Sequence, residues 1–305
     1  LAVAEAARQA GIRLTLLDTC YLHGGFGQPL EAGQKRFGDG SVEAWVQRWH
    51  ELADALPADP RVRLGAALHS VRAVAPDELH HAVAGLPADV PVHVHVSEQP
   101  AENRACQEAT GLTPTTVLER AGVLSARTTV VHATHLSEED LAMIARTGTT
   151  VSLCPTTEAD LADGIPRTAD LVAAGVPLAI GSDENVVTDP FAELRMIESG
   201  VRLSSGRRGV VSNERLWGSG AQVHSVLPEL AAVDPQRPGL RVGDPADMVA
   251  ISPDSARLAG VDPLRWPLTA SEADVTATIV AGQRVPSHSP ATLRSALHTL
   301  FKEDS

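Results

Sequence analysis

The sequence predicts an α/β protein built on a parallel barrel of the (β/α)8 kind, with six barrel strands in the chain and part of a small β-sandwich after them. Three observations carry this reading. Six short apolar segments, at about residues 12–17, 62–68, 91–96, 128–132, 149–153 and 176–182, alternate with helical segments. Such alternation implies a parallel sheet covered by helices. His69, His95, His132 and Asp183 fall at or just past the C-terminal ends of four of these segments, and barrels gather reactive side chains from several strands at that end. No GxGxxG turn follows a strand, which argues against an open doubly wound sheet with its single phosphate-binding switch point.

LAVAEAARQ is an Ala-rich helix that ends at Gly11, a residue suited to the left-handed position after a helix. IRLTLLDTCY is the first strand, and GGFGQPLEAGQKRFGDG is a Gly-rich loop. Ser41 can cap the helix SVEAWVQRWHELADAL, with Glu43 in its first turn. RVRLGAALHS (strand), PDELHHAVAGL (helix) and VPVHVHVSE (strand) follow. In the last of these, Val92, Val94 and Val96 share one face and His93 and His95 the other, because side chains alternate along a strand. Two imidazoles on one face of a core strand need a hydrogen-bond partner or a metal.

One helix is expected from PAENRACQEA through TTVLERAG, then the strand TTVVHATHL and the capped helix SEEDLAMIARTG. TTVSLCPT (strand), a loop, TADLVAAG (helix), VPLAIGSDEN (strand) and DPFAELRMIESGVRL (helix) complete the series. From about residue 213 the pattern changes: GLRVGDPADMVAISPD and ADVTATIVAGQRV hold short strand candidates among Gly and Pro. The expected division is 1–212 for the barrel and 213–305 for a C-terminal helix and sandwich part. Six strands do not close an eight-stranded barrel, and the chain opens in mid-helix, so two βα units are expected upstream.

Bulk composition narrows the function. Across 305 residues, 38 acidic side chains outnumber 25 basic ones for a formal charge of −13, which argues against nucleic acid or an anionic membrane as the main partner. Three cysteines, Cys20, Cys106 and Cys154, show no paired spacing and fit a reducing cytoplasm. No segment is long and apolar enough to span a bilayer, and the first residues lack the basic start and apolar run of a secretory leader.

His95, His132 and Asp183 offer two imidazoles and a carboxylate from three strand ends. A catalytic zinc takes such nitrogen and oxygen ligands and keeps a position open for water. Each residue has a plainer reading: Asp183 as a cap, His132 as a satisfied core histidine. Glu98, just past the strand bearing His95, can move a proton from water to a leaving amine, or be a surface glutamate at a helix start. Arg72, three residues after His69, can grip a carboxylate bidentately or simply be solvated. His93 is expected a layer deeper and His135 in a loop. His80, His81, His224, His288 and His298 earn no site role.

The ordered set HSVRAV, HVHVSEQPAE, VVHATHLSEED, TTVSLCPTTEADLADGI and GSDEN…DPFAELR resembles the amidohydrolase superfamily, and within it the formimidoylglutamate deiminase family. LLDTCYLHGGFG, KRFGDG, GDPADMVAI and ADVTATIVAGQRV match the same pattern. The resemblance implies a metal-dependent hydrolase with a TIM-like barrel, of which strands 3 to 8 lie here, and zinc-dependent conversion of N-formimidoyl-L-glutamate to N-formyl-L-glutamate and ammonia in histidine breakdown. It implies His95 and Asp183 as zinc ligands, with one zinc per subunit. Glu98, His132 and Asp183 would be the catalytic groups, and His69 and Arg72 would contact a small acidic amidine. A homodimer is the expected assembly. Two departures stand out: no HxH pair precedes residue 69, and Glu184-Asn185 follows the Asp where the family more often has Ser-His. Alternatives are another deaminase or chlorohydrolase of the superfamily, or a metal-free inactive or binding protein.

Overall fold

A computed structural model gives the structure of the protein and describes residues 1–221, 242–286 and 290–301. All six expected barrel strands form: β1 (Leu14–Cys20), β2 (Val62–Leu68), β3 (Val92–Val96), β4 (Thr128–His132), β5 (Thr150–Leu153) and β6 (Leu178–Ile180). They pair in parallel in chain order. In register, Val94 lies opposite Leu68 on one side and Val130 on the other. Among the described residues β6 does not pair with β1, so the barrel wall is open along one side. The first strand starts two residues later than the sequence suggests and runs on to Cys20, because its register with β2 continues through Cys20 and Leu68.

Helices cover the outer face: α1 (Ala2–Ala10), α2 (Val42–Ala55), α3 (Pro76–Ala84), α4 (Pro100–Thr110), α5 (Pro114–Arg120), α6 (Glu138–Thr147), α7 (Pro155–Asp160), α8 (Thr168–Ala173) and α9 (Pro190–Ser205). Gly11 ends α1 at φ 76° and Ser41 Oγ accepts the Ala44 N–H at 3.2 Å, as their sequence positions imply. Two helices depart from expectation. The single helix expected across residues 100–121 is two, because α4 stops at left-handed Gly111 and Thr113 caps a new start with Pro114 in its first turn. The stretch after β5 read as a loop holds α7 instead.

Between sheet and helices lies one apolar core that includes Trp45, Trp49, Leu68, Leu79, Val94, Leu118, Ile144, Leu153 and Leu171. The valines of β3 face this core and are fully buried, so the two histidines of the strand point to the other side, into the barrel. Trp49 donates its indole N–H to the Gly65 carbonyl at 3.0 Å, fixing α2 on β2. Helix α10 (Asn213–Ala221) packs on β6 and α9, and its Leu216 belongs to the same core.

The small antiparallel sheet has the order β7 (Met248–Ile251), β8 (Val275–Val280), β9 (Gln283–Arg284). Phe191 of α9, Leu258 and Ala270 form its own apolar cluster with Trp217, Trp266 and Val275 around them. Arg13 pairs with Asp247 at 2.6 Å, and Arg195 Nε–H donates to the Leu268 carbonyl at 3.0 Å. Both contacts tie this sheet to the barrel. A last helix, α11, spans Pro290–Phe301. His224 and His288 fall outside the described residues, as does most of the 213–240 region.

Candidate active site

The barrel end that receives the reactive side chains is marked by unusual backbone. Ser97 after β3 has φ 50°, His132 and Ala133 at the end of β4 have φ 69° and 52°, and Asp183 after β6 has φ 39°. Left-handed backbone in residues other than glycine costs about 1–3 kcal/mol each and persists only where neighbours enforce it. The neighbours are identifiable. Ala133 N–H donates to Val96 O at 3.1 Å and His135 N–H to Ser97 O at 3.0 Å, locking the β3 and β4 turns together. Thr157 Oγ1–H donates to Ser182 O at 3.3 Å while its oxygen accepts Glu184 N–H, also at 3.3 Å, so it grips the backbone on both sides of Asp183. Gly181 is required by close approach: a Cβ there would lie 2.8 Å from Cys154 Sγ.

These turns bring His95, His132 and Asp183 together, with one ligand-capable atom from each lying within 4.8 Å of the others. The rings of His95 and His132 stack with centroids 5.5 Å apart. His95 Nδ1 sits 2.8 Å from the His69 carbonyl, which can only accept, so Nδ1 carries the proton and Nε2 keeps a free lone pair. That is the arrangement found in metal-ligating histidines, whose second nitrogen donates to a carbonyl or carboxylate. Two imidazole nitrogens and a carboxylate oxygen fit a divalent ion that accepts mixed nitrogen and oxygen ligands. The sequence set out these same three groups, and the resemblance divided them into His95 and Asp183 as ligands and His132 as a catalytic group; in the structure a donor atom of each of the three converges.

His132 is the hub of the acid–base groups. Its Nε2 lies 3.6 Å from Glu98 Oε1 and 3.6 Å from Asp183 Oδ2, and its Nδ1 lies 3.4 Å from Glu158 Oε1. Burial alone would favour the neutral ring, but the Glu158, Glu98 and Asp183 carboxylates outweigh it and move its pKa upward. His95 moves down, chiefly through burial. Glu102 Oε2 accepts the Glu98 backbone N–H at 3.0 Å. Burial pushes the Glu102 carboxyl up to about 7, against the pull of that hydrogen bond and of Arg72.

On the β2 side, His69 donates or accepts at Ser70 Oγ, 3.1 Å away, and packs edge-on to Tyr21 and to His95, with centroids 4.5 Å and 5.2 Å apart. Burial, then His95 and Arg72, lower its pKa to about 4, so it is neutral at pH 7. Arg72 is exposed on the turn after β2, and its charge is felt at both His69 and Glu102. Among the described residues no hydrogen bond or ion pair engages its guanidinium. His93 lies deeper, with a pKa lowered to about 4 by burial and its buried Nε2 unpartnered. His135 Nε2–H donates to Asp163 O at 2.7 Å, a loop fastening.

The residues that sequence reasoning missed are Glu102, Thr157 and Glu158. Glu158 is buried, accepts the Cys154 N–H at 2.9 Å and faces His132. Its signal was its position in the TTEADLADG stretch, which contributed to the resemblance without being given a role. Glu102 is four residues beyond Glu98, in the first turn of α4, where an acidic side chain reaches back to orphan backbone N–H groups.

As a whole the site can hold a divalent ion, deliver and remove protons through adjacent carboxylates and an imidazole, and meet a negatively charged group at its rim through Arg72. Comparison with known proteins agrees with this geometry. The model of the amidohydrolase family matches residues 1–231. The chain is 36% identical over 292 residues to a formimidoylglutamate deiminase of Pseudomonas aeruginosa, covering 93% of this chain and 64% of that protein. It is 31% identical over 197 residues to a 5-methylthioadenosine/S-adenosylhomocysteine deaminase of Haloarcula marismortui, covering 63% of this chain and 43% of the relative. The chain therefore spans less than two thirds of the length of either. The crystal structure of an amidohydrolase from Brucella melitensis superposes with a TM-score of 0.82 at 34% identity, over 99% of this chain and 67% of that one. This chain belongs to the amidohydrolase family.

Proposed function

We propose that the protein of which these residues form the site hydrolyses N-formimidoyl-L-glutamate to N-formyl-L-glutamate and ammonia, with zinc as its metal. The observation that carries the reading is the convergence of His95, His132 and Asp183 beside the Glu98 carboxylate, with an uncommitted arginine at the rim. The 36% identity to a formimidoylglutamate deiminase supports this substrate above others. His95, His132 and Asp183 would hold the zinc, which when bound supplies Lewis acidity and eases the deprotonation of water near neutral pH.

The remaining chemistry belongs to the side chains. Glu98 takes the proton from the attacking water and returns it to the nitrogen that leaves as ammonia, while the C=N carbon gains the oxygen. Asp183, whose Oδ2 lies 3.6 Å from His132 Nε2, takes the second water proton and passes it to the same nitrogen. The C–N bond then breaks, ammonia leaves and the oxygen remains as the carbonyl of the formyl group. His69, neutral and fixed beside His95, accepts or donates to the substrate without competing for its charge. Arg72 binds a substrate carboxylate, where a guanidinium forms paired hydrogen bonds.

A second reading, deamination of a nucleoside derivative, is favoured by the 31% identity to the Haloarcula marismortui enzyme. Steady-state ammonia release from N-formimidoyl-L-glutamate and from 5-methylthioadenosine, measured on the whole natural protein, separates the two. The acidic amidine should be preferred by at least a hundredfold in kcat/KM. Equal or reversed preference would sink the assignment.

A further inference from the structure

We propose that α7, which follows the one strand between β4 and β6 and supplies no ligand, is a two-pronged brace whose adjacent residues Thr157 and Glu158 position Asp183 and His132. Both prongs are buried, at 0% and 2% exposure. Thr157 uses its hydroxyl twice, donating to Ser182 O and accepting from Glu184 N–H, so the turn around left-handed Asp183 cannot relax without breaking two hydrogen bonds. Glu158 reaches the opposite way. Its Oε1 accepts the Cys154 N–H and faces His132 Nδ1, which must then carry the proton, leaving Nε2 to look toward Glu98 and Asp183.

The brace is itself anchored. Glu193 of α9, also buried, accepts from Thr156 through both the backbone N–H and the hydroxyl. Three consecutive residues, Thr156, Thr157 and Glu158, thus connect α9, the Asp183 turn and the His132 ring. A helix this short gains little from its own hydrogen bonds, and here its side chains are spent on neighbouring elements. Side chains that must be held to within about half an ångström need such rigid support. Thr157 and Glu158 are positioning residues, acting through Asp183 and His132. The inference rests on the reading that those two residues act in the reaction.

The test uses Glu158→Ala and Thr157→Val in the whole natural protein, with two readouts that need no substrate. In metal-free protein labelled with 15N-histidine, at a pH high enough to keep the His132 ring neutral, its imidazole signals (assigned by their loss in His132→Asn) report its tautomer. Wild type should show the Nδ1–H form, and Glu158→Ala a mixture of both tautomers. On N-formimidoyl-L-glutamate, Glu158→Ala should lose about a hundredfold in kcat with KM changed less than threefold, and Glu158→Gln, whose amide oxygen can still accept, should recover at least tenfold of it. Thr157→Val should weaken Zn2+ binding at least tenfold and leave the His132 signals as in wild type. Unchanged His132 signals in Glu158→Ala, or unchanged zinc affinity in Thr157→Val, would overturn the brace. If the alanine variant does not fold, the zinc affinity of Thr157→Val decides alone. A protein inactive on this substrate whose tautomer and zinc readouts still shift as stated would refute the substrate and leave the brace standing.

Discussion

Glu102 Oε2 accepts the backbone N–H of Glu98 at 3.0 Å, while its other oxygen is buried without a partner. A carboxyl group so placed is held near neutrality, and burial raises its pKa from 4.5 to about 7. Because the folded state holds this proton more tightly, the group contributes stability that is fully present below pH 4.5 and is lost as pH rises through about 7. Glu102→Gln keeps an oxygen for the Glu98 N–H and cannot ionise. In urea unfolding of protein stripped of metal, the variant should gain on wild type between pH 5 and pH 8 by roughly 1–3 kcal/mol, at about 1.4 kcal/mol per unit of pKa shift. Parallel stability curves would mean that Glu102 ionises normally in the fold.

Glu98 faces His132 Nε2 across 3.6 Å and is assigned the proton transfer. Glu98→Gln should lower kcat by about 10²–10⁴, the usual worth of a placed acid–base group. Zinc content and melting temperature should match wild type, since Glu98 is not one of the three donors. A kcat loss below tenfold would move the proton transfer to another group, with Asp183 next in line.

Arg72 carries the expected selectivity for an acidic substrate. Arg72→Met should raise KM for N-formimidoyl-L-glutamate strongly, lowering kcat/KM by about a hundredfold, the scale of a charge-assisted pair at roughly 1.5–3 kcal/mol. Turnover of formamidine, which has no carboxylate to bind, should change less than threefold. Equal losses on both compounds would make Arg72 structural.

Gly181 stands two residues before Asp183, and an added Cβ would meet Cys154 Sγ at 2.8 Å. Cys154 is buried, so β6 must shift outward. Gly181→Ala should cost about 1–3 kcal/mol of stability, as overpacking does, and should lower zinc affinity by moving Asp183. Denaturant unfolding and zinc titration check both; wild-type values for each would show that the strand can yield there.

Much of this fold is legible in the chain because its strands are short, apolar and punctuated. The β3 run VHVHV shows both faces at once, valines toward the helices and histidines into the barrel. His69, His95, His132 and Asp183 could be aligned as strand ends because each closes an apolar run. The rest was hidden for physical reasons. Glu158 and Thr157 lie in a polar stretch with no periodicity, and their roles come from burial against β4 and β6, which no local pattern records. The break between α4 and α5 was written in Gly111, Thr113 and Pro114, but the helical residues on either side masked it. Glu102 reads as a surface glutamate until the packing of α4 encloses it.

The most direct test of the account is metal-dependent ammonia release by the whole natural protein. Chelation should abolish ammonia release from N-formimidoyl-L-glutamate, and zinc added back to about one ion per chain should restore it. His95→Ala and Asp183→Asn should retain less than a tenth of the zinc under the same conditions. Full activity after complete metal removal, or full zinc retention in both variants, would contradict a reaction centred on His95, His132 and Asp183.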